Sequence, residues 1–200
     1  MCMMCEGASP DEVVDRYVEM IDDYCWAVAG VDGTARSPGW AYTIGLTASY
    51  SHPELVIVAC SVEQAHRQLQ SLVNDIERGH RLKPGRHFVE GAGSVECRAV
   101  STDQVAAGLI AAWTDVALRC RWDTTAPDVM QVEARGLLCP EHDRIDWDLS
   151  RPFPAFVDAS ENGGAGFRVR GNSRPGNARS ARRGRRVSGD PRNRPRRWAS

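Results

Sequence analysis

Three stretches of the chain repeat their apolar residues at helical spacing, and the apolar runs between them read as strands. The first stretch is the clearest. Ser9-Pro10-Asp11-Glu12 joins a capping serine to a proline at the first helical position and a glutamate placed to reach back to the cap. Behind it Val14, Tyr17, Val18, Ile21 and Cys25 gather on one face, while Asp15, Arg16, Glu19, Asp22 and Asp23 take the other. That pattern predicts a helix from Pro10 to Tyr24. Ser61-Val62-Glu63-Gln64 repeats the start signal, with Val62, Ala65, Leu69, Leu72, Val73 and Ile76 turned inward and Gly79 as the stop. A third helix opens near Ser101-Thr102-Asp103-Gln104 and carries Val105, Leu109, Ile110, Trp113 and Val116. Gly108 weakens it by about 1 kcal/mol relative to alanine, which the long stripe is expected to absorb.

Strand-like runs fill the intervals. Trp26 to Val31 and Trp40 to Leu46 are separated by a loop from Asp32-Gly33 to Pro38-Gly39, and are expected to pair as an antiparallel hairpin. Pro53 starts a third strand, Leu55 to Cys60, whose unbroken apolar character suits a mid-sheet strand covered on both faces. His87 to Val89, Val95 to Val100 and Val129 to Ala134 follow. The fold class expected is α+β: a mainly antiparallel, curled or barrel-like sheet of five to six strands with three helices. From about Asp158 the periodicity stops. A glycine-rich stretch, Asn162 to Gly166, leads into Arg, Gly, Pro, Ser and Asn with few apolar residues, too few to offset the entropy of ordering. One globular domain over residues 1–158 and an Arg-rich disordered tail over 159–200 are therefore expected.

Charge sharpens that division. Gly166 to Ser200 holds 12 arginines against a single acid, Asp190, whereas the first 165 residues hold 13 basic and 25 acidic side chains. The net charge of −1 thus describes neither part. The tail invites a nucleic-acid reading by phosphate neutralisation. Trp198 is the aromatic side chain set among the last arginines in that reading, and a fold-back onto the acidic domain is the competing one. No apolar run approaches the about 20 residues needed to cross a membrane. The N-terminus lacks the basic and apolar regions of a secretory signal, so the cytoplasm is expected. Seven cysteines without framework spacing read as reduced thiols.

Candidate chemistry concentrates between Thr47 and Glu54. His52-Pro53-Glu54 places an imidazole and a carboxylate at a strand entry, where they could act as a general acid/base pair. The structural alternative is that Pro53 fixes the strand start while His52 and Glu54 bond loop amides. Tyr42 and Thr43 alternate on the neighbouring strand, so one of them points to the core and the other can reach the same mouth. Gln131 on the last strand completes a candidate ligand-binding set with them. Cys2-x-x-Cys5 could be half of a zinc site, with Cys139-x-x-His142 the only similar spacing, or simply two exposed thiols. His66 and His80 have no partner in sequence, and Trp113, Trp122 and Trp147 read as core and rim packing.

Four features together resemble the bacterial family of domain of unknown function 4262. They are Cys2-Met3-Met4-Cys5, the Trp26-Ala27-Val28 strand, the run Ala41-Tyr42-Thr43-Ile44-Gly45-Leu46 with His52-Pro53-Glu54-Leu55, and the Gln131 strand leading to an acidic segment with Trp147. The resemblance spans about Cys2 to Asp148. It implies an uncharacterised intracellular domain and assigns no activity. Two readings follow. One is an accessory module that binds a small molecule or a protein at the mouth of Thr43, His52 and Glu54. The other is a small enzyme using His52 and Glu54 as acid and base, with metal help from Cys2 and Cys5.

Overall fold

The computed structural model describes residues 7–33, 38–59, 61–134, 149 and 167–170. Its first element is α1 (Pro10–Tyr24), where Ser9 accepts from the Glu12 amide and the Glu12 carboxylate accepts from the Ser9 amide, the reciprocal cap that the sequence predicts. The chain leaves α1 through Cys25, which takes a left-handed conformation (φ 69°) and donates its amide to the Ile21 carbonyl. It then enters β1 (Ala27–Val31), β2 (Gly39–Ile44), a single-turn helix α2 (Leu46–Tyr50) and β3 (Glu54–Ala59). Next come α3 (Val62–Glu77), capped by Ser61, and the hairpin of β4 (Gly85–Val89) with β5 (Gly93–Ala99). Two helices, α4 (Thr102–Ala106) and α5 (Ala111–Cys120), precede β6 (Val129–Ala134).

These strands form one sheet in the order β4-β5-β6-β3-β2-β1, extended beyond β1 by a short β7 (Phe167–Arg170) drawn from the stretch expected to be tail. Apolar side chains alternate across it and make two cores. Ala27, Ala29, Val31, Trp40, Tyr42, Ile44, Val56 and Val58 face a layer made by α1 and α5. Val28, Ala41, Leu55, Ile57, Ala59, Val95 and Cys97 face α3. β3 lies between β6 and β2 with every residue buried, the mid-sheet strand expected from its unbroken apolar run.

The fold class differs from expectation in three respects. The sheet is mixed, because β3 and β6 run parallel at its centre. The connection through α3, the β4–β5 hairpin, α4 and α5 returns the chain to the end of the sheet at which β3 starts. The sheet is also open, with β4 and β7 at its two ends among the described residues, so no barrel closes. Among the described residues five helices stand where three were expected. Gly108, at φ 95°, divides the third predicted helix into α4 and α5, because its left-handed backbone interrupts the helical path that the apolar stripe would continue. The fifth helix, α2, arises between the second and third expected strands, where no helix was expected.

Gly45 sits at the start of α2 with φ 110°. A Cβ there would lie 3.0 Å from the Cys25 carbonyl oxygen and 3.3 Å from the Trp26 Cα. Left-handed strain and backbone contact act together, so Gly45→Ala is expected to lower stability by about 2 kcal/mol. Urea unfolding monitored by tryptophan fluorescence reads the loss; an unchanged midpoint would contradict it.

Candidate functional site

Glu54 is the first residue of β3, and its carboxylate lies wholly inside the protein. β2 and β3 pair from Gly39–Ala59 to Tyr42–Val56, and beyond that point side chains take over from the ladder. The Leu55 amide donates to Thr43 Oγ1 at 2.8 Å, which turns the Thr43 hydroxyl to donate to Glu54 Oε2 at 2.7 Å. Three amides at the start of α2 converge on the same carboxylate: Gly45 at 3.0 Å, Leu46 at 3.3 Å and Thr47 at 3.1 Å. The Trp113 indole N–H, from α5, donates to Oε1 at 3.2 Å. Glycine has no side chain with which to cap α2, so a carboxylate from the next strand meets the free N–H groups of its first turn. Burial pushes the Glu54 carboxyl above its usual range, and the bonds from Thr43, Thr47, Gly45 and Leu46 pull the other way.

His52 looks elsewhere. Its Nε2 accepts from the Leu82 amide at 3.2 Å, so Nδ1 carries the proton and donates to the Pro53 carbonyl at 2.8 Å. Both ring nitrogens are occupied, the residue is 2% exposed, and no hydrogen bond joins it to Glu54. Burial first, and the Arg81 charge with it, hold the imidazole below its usual 6.5, against the bond to Pro53. The two residues of the candidate acid/base pair therefore serve separate networks, and each bonds loop backbone.

The other candidate residues are equally engaged. Tyr42 lies in the core beneath α5, where its hydroxyl accepts from the Ala112 amide at 3.1 Å and so caps that helix. Burial pushes its phenol far up. Gln131 Oε1 accepts from the Leu149 amide at 2.8 Å and ties the chain after β6 back to the sheet. His80 gains a partner that sequence did not show, with its Nδ1 2.8 Å from the Asp75 carboxylate. Trp113 is buried with its ring centroid 6.4 Å from that of Trp122, as core packing requires. Cys2, Cys5, Cys139, His142 and Trp147 lie outside the described residues. Among the described residues no group of three or more His, Cys, Asp or Glu is placed to hold a metal ion.

A groove of about 490 Å³ opens where the parallel strands β3 and β6 begin. His52, Pro53, Leu82, Val105, Val129 and Met130 give it a largely apolar lining. Arg81, Lys83 and Asp128 bring charge to its mouth, and the Asp128 carbonyl accepts from the Glu54 amide at 2.9 Å. The Arg81 guanidinium donates to the Ser51 carbonyl at 2.5 Å, which closes the turn after α2 against the groove. Of the predicted site residues that are described, His52 alone lines this space. Leu82, Lys83 and Trp113 escaped sequence reasoning, since Trp113 stands 59 residues from Glu54 and no local pattern links them.

An open three-layer domain with a buried carboxylate knot beside an apolar groove is the class that fold and site define. Residues 20–117 match the family described as Domain of unknown function (DUF4262). The match is narrower than the Cys2 to Asp148 span expected from the sequence; it includes Thr43, Gly45, His52, Glu54 and Trp113 and stops short of Gln131. No curated protein and no solved structure matches the chain. No helix among the described residues is long and apolar enough to cross a membrane.

Two tests follow from the buried pair. In Glu54→Gln the new amide group faces N–H donors that the carboxylate accepted, so stability should fall by about 3 kcal/mol in urea unfolding; a change under about 0.5 kcal/mol would contradict the knot. His52 is held neutral in the fold and takes up a proton on unfolding. Its contribution is complete above 6.5 and is lost as pH falls through the depressed folded value. Wild-type stability should therefore decline more steeply below pH 6.5 than that of His52→Gln, which cannot titrate; parallel profiles would refute this.

Proposed function

We propose that the chain is an accessory binding domain of the cytoplasm that holds a small molecule in the His52 groove. The observation that carries this reading is the groove itself, apolar along its lining and charged at its mouth. Arg81 and Lys83 favour a ligand with an apolar body and an anionic end, which they would attract by charge. His52 contributes shape: its locked ring makes a rigid wall whose position does not depend on the ligand. Thr43 and Glu54 are not among the residues that line the groove.

The acid/base reading of His52 and Glu54 draws less support. A general base needs a free lone pair within reach of a substrate proton, and the Nε2 lone pair of His52 is taken by the Leu82 amide. Glu54 is turned from the groove toward the start of α2.

Titration with 8-anilinonaphthalene-1-sulfonate, an apolar anion, tests the binding reading. One saturable site is expected. Val105→Trp, which fills the groove, should abolish it, and Lys83→Glu should weaken it about fivefold, the scale of one exposed charge pair. Equal fluorescence in wild type and Val105→Trp would overturn the proposal.

A further inference from the structure

The sheet ends in β4, and among the described residues no strand pairs with its outer side. The β4–β5 hairpin has two unlike faces. Val89, Val95 and Cys97 turn into the core under α3, whereas Arg86 and Phe88 on β4 and Ser94, Glu96 and Arg98 on β5 turn the other way. Phe88 is 84% exposed, one of only two large apolar side chains among the described residues in that position. Its neighbours on this face alternate in sign: Arg98 pairs with Glu96 at 3.2 Å and with Glu133 of β6 at 3.4 Å, and Arg86 approaches Glu96 at 3.9 Å. The unpaired backbone N–H and C=O groups of an edge strand are a template for another chain, and Phe88 sets an exposed aromatic ring beside them.

We propose that β4 is a self-association edge, where two copies of this chain join their sheets antiparallel about a two-fold axis. Charge and register select a second copy as the occupant. With the axis at His87, Arg86 of each copy stands opposite Phe88 of the other, and both side chains lie on the exposed face. Opposed residues bring their Cβ atoms to about 5 Å, which sets a guanidinium against a ring twice over. An axis at Phe88 would instead set Phe88 against its counterpart and Arg86 against Glu90 of the second copy, but Glu90 is already paired with Arg78 at 3.1 Å. The balanced Arg and Glu on the surrounding face let two copies approach without like-charge repulsion. The surface is complementary to itself, and a partner of strong net charge would leave half of these groups opposed by like charge.

Sedimentation velocity of the full chain, treated with nuclease, across a hundredfold concentration range tests this. A monomer–dimer equilibrium is expected for wild type. Phe88→Lys should leave only monomer, Arg86→Glu should weaken the dimer by roughly tenfold, and Leu118→Lys, at the other exposed apolar residue, should leave the dimer intact. Phe88 lies outside both cores, so circular dichroism should show its variant folded. A wild type that stays monomeric throughout overturns the proposal, as does a dimer that survives Phe88→Lys or an assembly larger than two.

Discussion

One buried carboxylate holds this fold's busiest junction together. Taking a carboxylate out of water costs several kcal/mol even after relaxation, and Glu54 is wholly buried with no cation bonded to it among the described residues. What makes the arrangement tolerable is the number of donors: a hydroxyl, three amides and an indole. Each would itself be costly to leave unpaired in the interior, about 1–3 kcal/mol apiece. The carboxylate and its donors therefore need one another. Removing the acid exposes five orphaned donors, and removing the donors leaves a naked charge.

That mutual need links elements far apart in sequence. α2 is a single turn whose start has no side-chain cap, and β3 supplies one. α5 reaches the same oxygen through Trp113, while Tyr42 and Trp40 on β2 bond the backbone at and before its first turn. The strand start that carries Glu54 also carries Pro53 and His52, and so fixes one wall of the groove. In open sheets of parallel strands, ligands gather at the carboxyl ends of the strands. This groove lies at the amino ends of β3 and β6, where the Glu54 knot, rather than a turn after a strand, sets the backbone.

The sequence carried the parts of this that depend on neighbours along the chain. The reciprocal cap at Ser9 and Glu12, the limits of α1, the all-buried β3 and the span of β6 follow from local periodicity and capping chemistry. Gly108 shows where such reasoning stops: its propensity cost is small, but its left-handed backbone ends a helix that the apolar stripe would have continued. The parallel pairing of β3 with β6 rests on contacts between distant segments, which alternation cannot reveal. At the site, His52 and Glu54 stood out because they place an imidazole and a carboxylate together at a strand entry. Their separate duties depend on Leu82, on Trp113 and on the amides after Thr43, and none of these has a signature in sequence.

Amide hydrogen exchange at Gly45, Leu46 and Thr47, with the Trp113 indole, measures the central constraint most directly. If the Glu54 carboxylate binds these four N–H groups, they exchange only on global unfolding in the wild type, at rates matching the β3 amides, despite lying in a single-turn helix with an exposed face. In Glu54→Gln they should exchange faster than β3 by at least an order of magnitude. Rapid exchange of the three amides in the wild type would contradict the constraint, and so would equal protection in the variant.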